Sequence, residues 1–385
     1  MGIFAISTPM TETHLTPADS ALPGWLSSLP PSVRPYAMLA RWDRPVGIWL
    51  LYLPCLIGLA FERVRTGLYI SDFIWAILFL IGSVAMRGAG CTWNDITDRD
   101  YDAKVERTAL RPIPAGLVTL REAHIFLGLQ VAVGFLVWLC LPGDAKIVAL
   151  LSIPLVAAYP FMKRFTWWPQ AWLGATFNWG VLIGVATAGT VGFPAILLYI
   201  GLGCWTVAYD TIYALQDRED DALIGVKSTA RLFGKHAVLY SFCFFIAAAA
   251  LIAAASAMQG AGRMGAITSL VFLAHATTQV SRLKTHGDGA ALGVFKSNVW
   301  TGTMVVLGLM LAAMMPEPKP RSLFSEPEVV SSGKPDKVSL PFGLELQKRN
   351  GGNRAADLWM AGDIRRTLER DGFVFPDATE TPSQE

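Results

Sequence analysis

Nine stretches of this chain are apolar and close to the length needed to cross a bilayer: 46–61, 72–88, 123–141, 147–161, 169–188, 193–213, 237–258, 265–281 and 298–315. A helical span takes about 17 to 25 such residues. In lipid every backbone N–H and C=O must be satisfied within the protein, so spans of this kind are helices. The expected fold is therefore all-α, a polytopic membrane bundle of about nine transmembrane helices. A membrane barrel would show segments of about 10 residues with alternating polarity, and that pattern is absent from the sequence. Composition agrees: 53% of the residues are hydrophobic and 16% charged, against roughly 25% charged in soluble domains.

Orientation follows from the cations between spans. One side collects Arg34, Arg41, Arg44, Arg87, Arg99, Lys104, Arg107, Arg111 and Arg121, then Lys163 and Arg164, then Arg218, Lys227, Arg231 and Lys235, and finally Arg282, Lys284 and Lys296. The other side has Arg63, Arg65, Lys146 and Arg263. The first side is expected to be cytoplasmic. The net charge of +2 says little, because the charge is sorted by side.

Residues 34–315 read as one membrane domain. Before it, 1–33 reads as a disordered lead-in. Its first basic residue is at 34, outside it, so it has neither the basic n-region of a signal peptide nor the arginines of a transit peptide. That favours a bacterial cell inner membrane over a mitochondrion. After the last span the composition shifts to Pro, Ser, Glu and Lys, so 316–385 reads as a polar, largely disordered tail. Within it, 353–371 has the caps and partial apolar face of one helix. With nine spans the tail lies across the membrane from the acidic residues and takes no part in chemistry. It is a candidate docking segment for another protein. The five cysteines have no CxxC pair and read as packing residues.

Two acidic stretches break the apolar pattern. "NDITDRDYD" at 94–102 follows one span, and "YDTIYALQDREDD" at 209–221 follows another. Residues three and four apart share a helix face. Asp95, Asp98 and Asp102 therefore align with Asn94 beside them, while Asp210, Tyr213 or Ala214, Asp217 and Asp221 form a second stripe. Both stretches fall on the cytoplasmic side. Aspartates this crowded repel one another unless a cation holds them. All-oxygen ligands suit Mg²⁺, which takes one or two carboxylates and completes its shell with water and phosphate oxygens. Asn94, Asp95, Asp98, Asp102, Asp217 and Asp221 are accordingly candidate metal ligands flanking a diphosphate. Arg99, Arg107, Arg111, Lys163, Arg164 and Lys227 are candidates for its phosphates, arginine being suited to bidentate contacts. A diphosphate at a membrane face implies a lipid tail in the bundle. Metal and cations that stabilise the leaving diphosphate let an allylic carbon ionise, and an electron-rich acceptor then attacks. No Ser/His/Asp arrangement is evident.

These blocks resemble the UbiA family of intramembrane aromatic prenyltransferases. The residues that carry the likeness are Asn94-Asp95-x-x-Asp98-x-x-x-Asp102 followed by Arg107 and "RPIPAG", and Asp217-x-x-x-Asp221 followed by "IGVKSTARLFG". More narrowly, "RWDRPVGIWLLYLPC", "RGAGCTWNDITDRDYD", "YPFMKRFTWWPQAWLG" and "AYDTIYALQDREDDALIGVKSTA" are similar to the 4-hydroxybenzoate polyprenyltransferases of ubiquinone synthesis. The likeness covers about 36–315 and does not extend into the tail. It implies a nine-helix bundle whose site, near the cytoplasmic face, is capped by two signature loops. It also implies Mg²⁺-dependent transfer of a polyprenyl group from polyprenyl diphosphate to the ring carbon ortho to the hydroxyl of 4-hydroxybenzoate. Asp95, Asp98, Asp102, Asp217, Asp221, Arg99 and Arg164 would then be catalytic. Arg41 and Arg44 would be candidates for the acceptor carboxylate, Asp210 or Asp220 for the ring proton, and Tyr213 for substrate contact or plain packing. Homogentisate, a dihydroxynaphthoate or a haem is the alternative acceptor. A transporter would place its charges nearer the membrane midplane, and a scaffold would work through the tail alone. No nucleic-acid partner is expected.

Overall fold

The computed structural model describes residues 24–103, 108–223, 225–315, 337–340 and 344–347, with backbone only at 220–221 and in the last two segments. The chain falls into two units, Met1–Lys319 and Pro320–Glu385. In the first, helices follow in the order α1 Gly24–Ser27, α2 Arg34–Leu39, α3 Val46–Thr66, α4 Ser71–Asp102, α5 Leu120–Cys140, α6 Gly143–Leu151 and α7 Ile153–Phe165. They continue as α8 Pro169–Ala188, α9 Phe193–Tyr213, α10 Arg218–Leu223, α11 Thr229–Phe233, α12 Ala237–Gln259, α13 Gly262–His286 and α14 Ala291–Met314. In the second unit, β1 Lys337–Leu340 and β2 Leu344–Gln347 pair antiparallel, with Lys337 opposite Gln347. The sequence reading did not anticipate this hairpin. The helix expected at 353–371 lies outside the described residues.

Among the described residues, eight helical runs are long and apolar enough to span a membrane. The last, Gly262–Met314, is α13 and α14 joined through a 3-10 turn at Gly287–Ala290, so nine crossings are available. The fold is an all-α polytopic bundle.

Small residues let the helices close on one another. An added Cβ at Gly58 of α3 would lie 2.1 Å from the Val181 carbonyl oxygen of α8, and one at Gly184 would lie 2.2 Å from that of Cys55. The two backbones are therefore in direct contact, the approach that small residues permit between helices in lipid. Around them Leu53, Ile57, Val185, Leu202, Trp205, Phe245 and Phe272 form one buried core.

Two departures from the sequence reading shape the site. The expected span at 147–161 is broken at Ser152 into α6 and α7. Pro154, at the start of α7, has no N–H to donate back into the previous turn. The broken segment is pinned by indoles: Trp138 donates to the Lys146 carbonyl (3.0 Å), Trp179 to Val148 (2.8 Å) and Trp172 to Leu155 (2.8 Å). The second departure is the length of α4, whose 32 residues rise about 48 Å against a hydrocarbon core of roughly 30 Å. The first acidic stretch is thus the end of a continuous helix and not a loop.

Residues 24–33, read from sequence as part of the lead-in, include α1, whose Leu26 is buried with Ala37 and Met38 of α2. An apolar pair, Trp25 and Leu26, ahead of the first basic residue is the signal for this anchor.

Candidate active site

The end of α4 presents its carboxylates to cations from three other elements. Asp98 accepts from Lys163 Nζ (2.6 Å) and Arg164 Nη2 (2.8 Å) at the end of α7. Asp102 pairs with Arg111 at 2.9 Å, and the same guanidinium nitrogen is 3.5 Å from Asp95. Asp95 is fully buried and pairs at 2.7 Å with Arg41. Carboxylates with 0 to 10% side-chain exposure are tolerated here because each has a cationic partner.

These contacts divide the predicted set. Asn94, Asp98, Asp102, Arg111, Lys163, Arg164, Asp210, Asp217 and Lys227 line one cavity of about 480 Å³. Asp95 and Asp102 share Arg111, while Asp98 is held by Lys163 and Arg164. Asp95 lines a second cavity, of about 450 Å³, and its Oδ1 is taken by Arg41 and Arg111. That oxygen is thus held in a buried ion pair, while Oδ2 is buried with no hydrogen-bond partner among the described residues. Arg41 is correspondingly spent: one Nη donates to Met38 O and the other to Asp95. Burial opposes its charge, but the Asp95 carboxylate prevails and holds its pKa above the ordinary arginine value. Arg41 also carries a left-handed φ of 61°, which no other non-glycine residue among those described shares and which costs an ordinary side chain of order 1–3 kcal/mol. Arg44 lines the second cavity and pairs with Asp43 at 2.9 Å.

Arg99 points away from both cavities. It lies on the surface beside Asp100 at 3.4 Å, since one position past Asp98 on a helix is rotated by about 100°. Arg107 lies outside the described residues, as do the side chains of Asp220 and Asp221.

The second stripe resolves at Ala214. α9 gives way there to a 3-10 turn, Ala214–Asp217, before α10 begins. Asp210, Ala214 and Asp217 line the first cavity, while Tyr213 lines the second and packs on Phe295 with ring centroids 4.5 Å apart. The 225–228 segment completes the first cavity. It is held by the Lys227 backbone N–H on Lys163 O (3.2 Å) and by Lys227 Nζ on Phe165 O (3.3 Å).

Among the described residues no three His, Cys, Asp or Glu side chains converge closely enough to form a metal site unaided. The oxygen donors Asn94, Asp98, Asp102 and Asp217 around one cavity fit a divalent cation that draws the rest of its shell from phosphate and water.

Arg87 was counted from sequence as a loop cation, yet it sits inside α4, seven residues before Asn94, and lines the second cavity. Its guanidinium lies over the Phe177 ring at 5.2 Å, its Nε has no hydrogen-bond partner, and no carboxylate lies within ion-pair distance among the described residues. Gly47, with no side chain, leaves it room. Arginine within a span is a functional signal by default. Drawing the span to end at 88 concealed it. Apart from Arg87, the second cavity is lined mainly by apolar groups such as Leu51, Phe79, Val137, Leu141, Val156 and Ile183, and it shares Asn94, Arg111 and Tyr159 with the first.

Known proteins match this arrangement. The profile of the UbiA prenyltransferase family matches residues 51–302. The chain is 40% identical over 285 residues to the mitochondrial 4-hydroxybenzoate polyprenyltransferase of Arabidopsis thaliana, covering 74% of this chain and 70% of that one. To the enzyme of the same name from Homo sapiens it is 41% identical over 300 residues, covering 76% and 79%. Among solved structures, the apo UbiA homolog from Aeropyrum pernix K1 superposes with a TM-score of 0.58 at 26% identity, over 68% of this chain and 97% of that one. The Archaeoglobus fulgidus UbiA homolog bound to GPP and Mg²⁺ gives 0.57 at 17% identity, over 73% and 99%, and so shares the fold. With its two acidic segments on one cavity and this likeness over most of its length, the chain belongs to the UbiA prenyltransferase family.

Proposed function

We propose that this protein transfers a polyprenyl group from polyprenyl diphosphate to the ring carbon ortho to the hydroxyl of 4-hydroxybenzoate, releasing diphosphate, in ubiquinone biosynthesis. The observation that carries the reading is that Asn94 and Asp98 of one acidic segment and Asp217 of the other line a single cavity with Lys163, Arg164 and Lys227. A predominantly apolar cavity adjoins it at Asn94 and Tyr159. The names of the curated relatives supply the acceptor.

Asn94, Asp98, Asp102 and Asp217 would hold Mg²⁺, which when bound supplies charge neutralisation at the diphosphate. Lys163, Arg164, Lys227 and Arg111 add fixed positive charge where the leaving group gains its negative charge. The allylic C–O bond breaks with its electron pair going to the diphosphate, the phenol-activated ring carbon bonds to the allylic carbon, and the ring proton is then lost. Asp210, on the same cavity, is placed to take it. The prenyl chain lies in the apolar cavity. Arg87, inside that cavity, feels the charge of Asp210 but has no carboxylate within ion-pair distance among the described residues, and it replaces Arg41 and Arg44 as the residue for the acceptor carboxylate.

The loop cations support a site facing the cytoplasm, and we place the protein in a bacterial inner membrane with residues 34–315 as the catalytic domain. The tail is proposed to dock another quinone-pathway enzyme. Deleting it should leave transfer intact and abolish co-purification of that enzyme.

The direct test is transfer to radiolabelled 4-hydroxybenzoate in membranes carrying the protein. Product that needs Mg²⁺ and falls by about 10²–10³ in Asp217→Ala is expected. Metal-dependent product with another aromatic, and none with 4-hydroxybenzoate, would overturn the acceptor.

A further inference from the structure

We infer that Gln170 is a ligand of the diphosphate and couples that ligand to the 225–229 segment, an inference that rests on the diphosphate reading above. Gln170 is in the first turn of α8 and only 5% exposed. Its Oε1 accepts the Thr229 backbone N–H at 3.0 Å, which fixes which end of the carboxamide is oxygen. The Nε2 end is thereby left as a donor, and it has no partner among the described residues. It is also absent from the sealed, unsatisfied atoms, so it opens onto space. The cavity that Gln170 lines is the 480 Å³ one, beside Asp98, Asp217 and Lys227.

The donor differs from its neighbours. Lys163 and Arg164 are engaged with Asp98, and Lys227 Nζ with Phe165 O. Gln170 offers an N–H uncommitted to a carboxylate, in a helix first turn whose backbone dipole also favours an anion. A buried amide donor that opens onto this cavity is placed to donate to an anionic ligand held there. On entry, one amide bridges the ligand and the backbone at Thr229, the residue that starts α11. Ser228, just before it, caps that helix through Arg231 N at 3.3 Å.

The carboxamide can be taken apart chemically. Gln170→Glu keeps an oxygen for the Thr229 N–H but replaces the donor with negative charge. Gln170→Leu removes both. The KM for geranyl diphosphate, the Ki of inorganic diphosphate and the KM for 4-hydroxybenzoate would be measured on the full-length protein in membranes at about pH 8, well above the reference carboxyl pKa. Losing one hydrogen bond to a charged group predicts a roughly 10-fold rise in the first two constants for Gln170→Leu, and a larger one for Gln170→Glu. The 4-hydroxybenzoate KM should stay within about twofold of wild type, since only the diphosphate end is touched. Wild-type constants in Gln170→Glu with a defect in Gln170→Leu would mean that the amide only holds the segment, and would overturn the inference. So would no change in either variant, or a rise confined to the 4-hydroxybenzoate KM.

Stabilisation of the purified protein against heat by Mg²⁺ with inorganic diphosphate gives a readout independent of turnover. If the wild type prenylates no 4-hydroxybenzoate yet is stabilised, and Gln170→Glu is not, the acceptor reading falls and the role of Gln170 stands. If Gln170→Leu fails to accumulate, Gln170→Glu, which retains the Thr229 contact, decides.

Discussion

The two acidic segments serve one cavity but are built differently. Asp98 and Asp102 ride the last turns of a 32-residue helix, each tied to a cation on another element. Asp210 and Asp217 lie on either side of a change from α to 3-10 geometry, and the chain beyond them is held by side-chain and backbone contacts with α7 and α8. In the first segment a regular helix sets the spacing and ion pairs hold it. In the second a local irregularity brings Asp210, Ala214 and Asp217 to one cavity and turns Tyr213 to the other. Substitutions in the first segment should therefore disturb stability as well as chemistry.

The sharpest break in that comparison is Asp95→Leu. It leaves Arg41 buried without its partner, and removing one member of a buried pair costs about 3–5 kcal/mol. Thermal unfolding in detergent should show the loss, and the double variant Arg41→Met/Asp95→Leu should recover most of it. A double variant as unstable as the single would mean that Arg41 has another role. Next come Asp98→Ala and Asp217→Ala, each expected to lower kcat/KM by about 10²–10³, the scale of losing one charge-stabilising group.

Arg87→Gln should raise the KM for 4-hydroxybenzoate by roughly 10-fold or more and leave that for prenyl diphosphate within about twofold. The neutral analogue 4-hydroxybenzamide should be insensitive to the change. The smallest effect is expected at Arg99, whose exposed pairing with Asp100 is worth at most about 1 kcal/mol. Arg99→Ala should turn over within about twofold of wild type, and a loss comparable to that of Asp98→Ala would place it back in the site.

Spans and both acidic stripes were legible in the sequence because they are local: hydropathy over 20 residues and the three-and-four spacing of a helix. Partners that lie far apart in the chain were not. Arg41 reaches Asp95 across 54 positions and Lys163 reaches Asp98 across 65, and no spacing rule reveals which arginine a buried carboxylate takes. Arg87 reads from sequence as a loop cation because hydropathy marks where a span ends, not where its helix does. Gln170 lies in the block "YPFMKRFTWWPQAWLG", but no spacing rule singles it out; its contact with Thr229, 59 positions away, does. The break at Ser152 could have been suspected from Pro154, although prolines are tolerated in membrane helices when neighbours satisfy the freed carbonyls. Here Trp179 and Trp172 serve carbonyls on either side of the break.

The central claim is that the two segments act together on one diphosphate. A double-mutant cycle on Mg²⁺-dependent prenyl transfer tests it most directly, with Asp98→Ala, Asp217→Ala and the combined variant assayed in membranes holding equal amounts of protein. Groups that work as a unit are strongly non-additive, so the combined variant should be little worse than either single one. Losses that multiply, or a normal rate in either single variant, would contradict the shared site.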